Sequence, residues 1–283
     1  MSIRKPLERI IARPASDGAG VKLLRVFGGA QPERFDPFLM LDEFGSAEAS
    51  DYIGGFPPHP HRGFETITYM LRGKMEHRDH MGNVGLLQDG DVQWMTAGRG
   101  VIHSEMPRQT EGQMRGFQVW LNLPASSKMT PAHYEDVPGA KLPVYQVPGA
   151  RITAIAGTAQ VAGETLSGYF ERPDTLPLYW DVHLQAGAEL TLPLPEGFTV
   201  LVYAYEGVLD LAETQLKRQQ LLRLGGEGDL VVANRSGEEA RFLVLAGKPL
   251  KEPIVQYGPF VMNTHEEIEQ ALTDYRNGTL TAA

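Results

Sequence analysis

The chain contains no cysteine among its 283 residues. Without thiols it forms no disulfide, zinc–thiolate site or iron–sulfur cluster, and it has no thiol nucleophile. Long apolar runs are also missing, since no stretch reaches the roughly eighteen residues that a membrane-spanning helix needs. The start, Met1-Ser2-Ile3-Arg4-Lys5, lacks the apolar segment of a signal peptide. We therefore expect a cytoplasmic protein that does not bind membranes.

The chain has fewer basic than acidic residues. The chain carries 26 Lys and Arg against 35 Asp and Glu, which gives a formal net charge of −9 at pH 7. Proteins that bind nucleic acid neutralise phosphates with a basic face. The balance of charge therefore predicts no direct contact with nucleic acid.

Glycine and proline are abundant, with 31 and 20 residues. Their distribution along the whole chain favours many short strands joined by tight turns, and we predict an all-β fold. The length is sufficient for two domains. Prolines interrupt regular structure within residues 126–147, so we place a boundary there and expect domains at 1–130 and 131–283.

One helix is predicted near the C-terminus. Thr264 and Glu267 have the spacing of a capping box. Apolar residues then follow at helical spacing from Ile268 to Tyr275, and Gly278 is a typical terminator. We expect this helix to pack its apolar side on a β domain.

The two halves share a repeated pattern. Residues 63–73 and 197–207 both contain Gly-Phe and then Tyr-x-x-x-Gly, and Gly-Asp precedes an apolar strand at residues 90–94 and 228–232. This indicates a duplicated β scaffold. With these anchors, the residues opposite His59, His61, His103 and Glu105 are Pro193, Pro195, Arg241 and Leu243. The polar side chains are therefore absent from the second copy, which favours a functional role for them in the first.

Two short motifs in the first half predict a metal site, His59-Pro60-His61 and His103-Ser104-Glu105. Side chains two residues apart on a strand point to the same face, so the two pairs can converge if the strands are neighbours. Three imidazoles and a carboxylate suit a divalent first-row metal. Glu65 has the same parity as the first pair, although Gly63 can break the alternation. His77 and His80, by contrast, are typical of the solvated end of a hairpin.

Three longer segments carry a family resemblance. They are FPPHPHRGFET at 56–66, GDVQWMTAGRGVIHSEMP at 90–107 and GPFVMNT at 258–264. The chain resembles the pirin family of the cupin superfamily over nearly its whole length. The resemblance implies two stacked cupin barrels of the double-stranded β-helix, or jelly-roll, type, with terminal segments that reach across to the other barrel. It also implies one mononuclear metal in the N-terminal barrel, held by His59, His61, His103 and Glu105.

The carboxylate has two candidates. Many cupins take a glutamate four residues after the second histidine, and Glu65 stands at that position. The pirin resemblance favours Glu105 instead. Glu65 would then be a partner that orients a ligand histidine.

The resemblance implies Fe(II) as the first choice of metal, while Ni, Co, Cu, Mn and Zn are also compatible with such ligands. It further implies a quercetin 2,3-dioxygenase, in which a flavonol reacts with dioxygen after its 3-hydroxyl proton has passed to Glu105. Apolar residues near the motifs could line an aromatic substrate pocket: Phe56, Trp94, Met95, Met106, Phe117 and Trp120. The alternative is a non-catalytic, iron-containing regulatory protein that binds a transcription factor or metabolic enzyme.

Overall fold

The structure, a computed structural model, describes residues 2–29, 31–212, 214–225 and 227–282. Strands dominate, and these residues contain a single α-helix, α1 (His265–Arg276). The prediction of an all-β class with a C-terminal helix is confirmed. Within the same ranges, no helix has the length and apolar character needed to cross a membrane.

The strands follow one another closely along the chain. The first half contains β1 (Lys5–Ile11), β2 (Arg13–Asp17), β3 (Val21–Phe27), β4 (Phe38–Ser46), β5 (Phe56–His61), β6 (Phe64–Arg72), β7 (Met75–Asp79), β8 (Val84–Leu87), β9 (Val92–Thr96), β10 (Val101–Pro107), β11 (Met114–Asn122) and β12 (His133–Val137). The second half contains β13 (Val144–Val147), β14 (Ala150–Ala156), β15 (Thr158–Val161), β16 (Glu164–Ser167), β17 (Leu178–Leu184), β18 (Glu189–Pro193), β19 (Thr199–Glu206), β20 (Val208–Leu211), β21 (Thr214–Lys217), β22 (Gln220–Gly225), β23 (Asp229–Ala233), β24 (Ala240–Gly247), β25 (Val255–Tyr257) and β26 (Phe260–Met262).

The chain divides into two compact units. The histidine unit comprises Arg13–Ala140 and the segment from Leu250 onward, and the second unit comprises Lys141–Pro249 and the segment up to Ala12. The histidine unit contains a seven-stranded sheet, β12-β9-β6-β11-β4-β3-β2, and a four-stranded sheet, β5-β10-β7-β8. The second unit repeats this plan with β1-β22-β19-β24-β17-β14-β13 and β18-β23-β20-β21.

The two sheets of each unit enclose a common interior. In the second unit, Trp180 and Phe242 from the larger sheet share one apolar cluster with Leu192 and Leu230 from the smaller sheet. Burial alternates along β18, as expected for a strand with one face toward a core. The interior of the second unit is thus filled by apolar side chains, which stabilise it through their burial.

The composition of the units differs from the continuous ranges 1–130 and 131–283. Strand β12 pairs with β9 of the histidine unit, and the C-terminal segment with α1 also belongs there. Strand β1 instead pairs with β22 of the second unit. Sequence composition locates the prolines between the halves, but it does not reveal which sheet a terminal strand joins.

The helix begins as predicted. The Thr264 hydroxyl accepts a hydrogen bond from the Glu267 backbone N–H at 3.2 Å, and the Glu267 carboxylate accepts one from the Thr264 N–H at 3.0 Å. This reciprocal capping box satisfies backbone donors that the first turn leaves without partners. Ile268 and Ala271 are buried against the C-terminal hairpin residue Phe260.

The sheet topology corrects one anchor of the internal repeat. The Gly-Asp match aligned β9 with β23, but β23 occupies the place in the second unit that β10 occupies in the histidine unit. The match of β6 with β19 remains valid. The residues opposite His103 and Glu105 are therefore misassigned, because Arg241 and Leu243 lie on β24, which corresponds to β11. Pro193 lies on β18, which corresponds to β5, the strand of His59 and His61. The conclusion about the second copy is unchanged, since neither β18 nor β23 contains a histidine.

Candidate metal centre

Antiparallel pairing of β5 with β10 brings the two histidine motifs together. His59 lies opposite His103 in the register, and a bulge follows before Glu105. Ligand nitrogens of His59, His61 and His103 all lie within 4.8 Å of one another. The ring centroids of His59 and His103 are 4.4 Å apart, and those of His61 and His103 are 4.9 Å apart. The three-histidine cluster therefore forms as the strand alternation predicted.

Burial keeps two of these rings neutral. It lowers the pKa of His61 and His103 well below the usual value, and neighbouring histidines lower both further, while a hydrogen bond with the Pro259 backbone raises that of His61. Neutral imidazole is the form that binds a metal. His61 Nδ1 and His103 Nε2 are buried without a hydrogen-bond partner. Since buried polar atoms are normally paired, these nitrogens and their neutral rings fit a divalent metal.

Glu105 lies beside the cluster rather than within it. Its carboxylate is outside the group of atoms that lie within 4.8 Å of one another, but it lines the same cavity as His59 and His61. Its Oε1 accepts a hydrogen bond from the Thr68 hydroxyl at 3.2 Å. Burial raises the pKa of Glu105, while His59 and the Thr68 hydrogen bond lower it.

Glu65 lies on the other sheet of the unit. Gly63, with a φ of +91°, ends the alternation of β5, and the chain enters β6 of the seven-stranded sheet before Glu65. There the Glu65 carboxylate accepts a hydrogen bond from the Thr96 hydroxyl at 2.7 Å. Glu105, on β10, shares the four-stranded sheet with the histidines of β5. The strand arrangement therefore favours Glu105 of the two candidates.

His77 is buried, so the prediction of a solvated residue is wrong at this position. Its exposed fraction is 1%, whereas His80 is exposed as expected. His77 lies on β7, next to β10, and its Nδ1 is 3.3 Å from His103 Nδ1. Along β7, buried Met75 and His77 alternate with less buried residues, as on a strand with one face toward the core. Because the neighbours of His77 in the sequence are charged, this alternation was not recognised.

A cavity of about 750 Å³ opens beside the cluster. Its apolar wall includes Leu23, Met40, Phe44, Phe56, Met75 and Trp120. Of the six apolar residues expected near the motifs, Phe56 and Trp120 line this cavity, whereas Trp94, Met95 and Phe117 are fully buried core residues and Met106 is partly buried.

Polar groups occupy another part of the cavity wall. Arg25 and Asp42 form an ion pair there, and Gln118 and Gln256 also contribute. Gln256 Oε1 is buried without a hydrogen-bond partner. The cavity thus combines flat apolar surface with a few hydrogen-bonding groups, as small-molecule sites do.

Two buried cationic side chains, Arg62 and Lys128, hold the C-terminal segment against the chain that follows β5. Neither residue belongs to a sequence pattern that indicates this role. Arg62, next to His61, forms an ion pair with Asp274 at 2.7 Å and donates to the Leu280 carbonyl at 3.2 Å. The Lys128 ammonium donates to the carbonyls of Gly63 and Val261 at 2.7 and 2.9 Å. The segment that supplies Pro259 to the site is therefore fixed by charged groups.

Comparisons with known proteins agree with this arrangement. Residues 20–121 match the family model described as Pirin, and residues 179–281 match the one described as Pirin C-terminal cupin domain. The chain is 56% identical over 281 residues to a Pseudomonas aeruginosa protein named "Putative quercetin 2,3-dioxygenase", covering 98% of both chains. It is 40% identical over 282 residues to human pirin, covering 98% of this chain and 93% of pirin.

A solved structure is also similar. The crystal structure of quercetin 2,3-dioxygenase from Acinetobacter baumannii matches with a TM-score of 0.89 and 34% sequence identity, over 99% of both chains. The expected architecture of two cupin domains with a C-terminal helix is thereby confirmed. The family resemblance seen in the motifs is confirmed as well, and this chain belongs to the pirin family.

Proposed function

We propose that this protein is a metal-dependent dioxygenase that cleaves flavonols, with quercetin 2,3-dioxygenase activity. The observation that carries the proposal is a cluster of three histidines beside a cavity with an aromatic wall. The names of similar proteins from Pseudomonas aeruginosa and Acinetobacter baumannii support the same reaction.

His59, His61 and His103 would hold the metal, with Glu105 as the fourth ligand. Fe(II) is our first choice from the family, and this ligand set also suits Ni, Co, Cu, Mn or Zn. When bound, such an ion supplies a Lewis acid and open positions for a substrate oxygen and dioxygen. The neutral state of His61 and His103 suits this role, because no proton has to leave either ring first.

Glu105 is proposed to accept the proton of the flavonol 3-hydroxyl. The Thr68 hydroxyl donates a hydrogen bond to Oε1 of its carboxylate at 3.2 Å and thereby orients the group. A positioned carboxylate of this kind acts as a general base. Both atoms of dioxygen would enter the product, the central ring would open, and carbon 3 would leave as carbon monoxide, giving a phenolic ester.

The cavity supports a flat aromatic substrate. Phe44, Phe56 and Trp120 offer apolar surface against which rings can pack, and they exclude water from the reacting atoms. Arg25 and Asp42 on the polar wall would bind phenolic hydroxyl groups. A volume of about 750 Å³ lies within the range of ordinary ligand pockets.

Turnover of quercetin is the direct test. Protein reconstituted anaerobically with Fe(II) is mixed with quercetin and oxygen, and loss of flavonol absorbance is followed together with oxygen uptake and carbon monoxide release. We expect turnover in the native protein and in His265→Ala, which changes an exposed histidine of α1, and none in His103→Ala.

Metal exchange completes the test. If no turnover occurs with Fe(II), nor with Ni, Co, Cu or Mn at full occupancy, the dioxygenase proposal is wrong. The non-catalytic regulatory role would then be preferred, and binding of the metal-loaded protein to partner proteins would be the next measurement.

A further inference from the structure

His77 is a buried histidine that the proposed reaction does not use. It lies on β7, which pairs with β10, and its ring is enclosed by His103 on one side and Tyr134 on the other. The ring centroids of His77 and Tyr134 are 4.8 Å apart. His77 is not part of the cluster of three histidines whose ligand atoms converge. Its Nδ1 instead faces Nδ1 of His103 at 3.3 Å.

The tautomers of the two rings follow from simple accounting of protons. An uncharged imidazole carries one N–H and one lone pair. His103 Nε2 is buried and has no hydrogen-bond partner, so it is the nitrogen available to a metal. If Nε2 provides the lone pair, Nδ1 carries the proton and donates it toward His77 Nδ1. His77 must then accept through Nδ1 and carry its own proton on Nε2.

We propose that His77 is a positioning residue, which fixes the tautomer and ring orientation of His103 so that Nε2 of His103 is presented to the metal. The inference rests on the proposed metal site. Ligand histidines usually donate their second N–H to a carboxylate or a carbonyl, and such partners strongly affect metal affinity. Here a neutral imidazole takes that place.

Burial of His77 costs the protein one hydrogen bond that the ring would make with water. Its Nε2 is buried and makes no hydrogen bond among the described residues. An apolar ring of similar size would avoid this loss while keeping the packing on Tyr134. A residue that serves only the fold would therefore be replaceable by phenylalanine without a penalty, whereas a positioning residue would not.

The test separates metal affinity from stability. His77→Phe keeps the aromatic contact with Tyr134 and removes the acceptor of the His103 N–H. We expect the apoprotein to melt at the same temperature or higher, while affinity for Zn²⁺ or Co²⁺, measured by competition with a chelator, falls 10- to 100-fold. His77→Asn, whose side-chain oxygen can accept the N–H, should recover part of the affinity. His265→Ala is the exposed-histidine control.

A spectroscopic measurement on the native protein tests the tautomer directly. In ¹⁵N-labelled, Zn²⁺-loaded protein, we expect His103 to be protonated at Nδ1 and His77 at Nε2. In Co²⁺-loaded protein, His77→Phe should shift the visible absorption bands, because the orientation of the His103 ring changes.

Three results would overturn the proposal. The first is unchanged metal affinity in His77→Phe. The second is a loss of affinity that is matched by a loss of apoprotein stability, which would indicate a structural role. The third is a His103 ring without a proton on Nδ1, and this measurement decides even if the variants fail to fold. Retention of metal by His103→Ala would instead contradict the metal site itself, whereas absence of flavonol turnover would leave these binding results valid.

Discussion

Arg25 and Asp42 form a two-point ion pair on the wall of the cavity. The guanidinium Nε lies 3.0 Å from Asp42 Oδ1, and Nη2 lies 2.8 Å from Oδ2. Asp42 is buried, whereas the Arg25 side chain is 35% exposed and also contacts Asp17 at 3.0 Å. The pair supports the proposed binding of phenolic hydroxyl groups, and it also neutralises a carboxylate that burial would otherwise destabilise.

Arg25→Met should destabilise the fold in a pH-dependent way. Removal of one partner of a fully buried pair costs roughly 3–5 kcal/mol, and we expect about 2 kcal/mol here because Arg25 is partly exposed. Burial already raises the pKa of Asp42, and the guanidinium offsets part of that rise. In the variant the folded protein therefore binds a proton that the unfolded chain has lost, and stability falls as pH rises.

Urea denaturation of Arg25→Met at pH 5 and pH 8 measures how its free energy of unfolding changes with pH. The double variant Arg25→Met/Asp42→Asn is the control, because it removes the buried charge and should recover most of the loss at pH 8. An equal loss of stability at both pH values would show that Asp42 is not the cause.

Thr68→Val should impair the reaction more than the fold. The substitution keeps the shape of the side chain but removes the hydroxyl, which lies 3.2 Å from Glu105 Oε1 and 2.7 Å from Gln118 Oε1. We expect kcat to fall about tenfold, which corresponds to roughly 1.4 kcal/mol, because the carboxylate is no longer held in place. Steady-state kinetics with quercetin and metal content by mass spectrometry check this result.

Thr96→Val is the matched control for Thr68→Val. It removes a similar buried hydrogen bond, of 2.7 Å, to the Glu65 carboxylate on the seven-stranded sheet. We expect a comparable change in melting temperature and an unchanged kcat. If both variants lose activity equally, Thr68 has no specific role toward Glu105.

If Glu105 rather than Glu65 is the carboxylate ligand, the variants Glu105→Gln and Glu65→Gln should differ in metal binding. Glu105→Gln should weaken metal binding at least tenfold, because a neutral amide would replace the carboxylate proposed as a ligand in the sheet that carries the histidines. Glu65→Gln should retain a full equivalent of metal. Chelator competition on both purified variants measures the difference, and the opposite order would assign the carboxylate ligand to Glu65.

Sequence periodicity was sufficient for the parts of the molecule that local rules control. The capping box of Thr264 and Glu267 depends on spacing along one helix, and it was predicted correctly. The convergence of His59 with His103 required only strand alternation and antiparallel pairing of two strands. Both features depend on backbone geometry that few residues determine.

Features that depend on distant pairing could not be predicted. His77 lies in a charged stretch, and its burial results from packing against β10 and Tyr134. Arg25 and Asp42 meet because β3 pairs with β4, and neither residue has a motif that indicates it. The Gly-Asp anchor failed because turn residues recur before many strands, so the same dipeptide preceded β9 in one unit and β23 in the other.

Lys128 should make the protein more stable as the pH rises above neutral. Its exposed fraction is 1%, and its ammonium donates to Asn122 Oδ1 at 2.7 Å as well as to the carbonyls of Gly63 and Val261. Burial lowers its pKa from 10.5 to about 7. Between these values the unfolded chain binds a proton that the folded protein has released, so stability should rise with pH across this window.

Lys128→Met tests whether the buried lysine causes the rise of stability with pH. It also tests whether the lysine stabilises the C-terminal segment. The variant should lose about 3 kcal/mol at neutral pH, because three buried acceptors lose their donor. Its stability should also lack the rise between pH 7 and 10 that the native protein shows in urea denaturation. Gly63 lies two residues after His61, at the end of β5, so we also expect Lys128→Met to bind the metal more weakly. A native protein whose stability is constant across that range would mean that Lys128 remains charged in the fold.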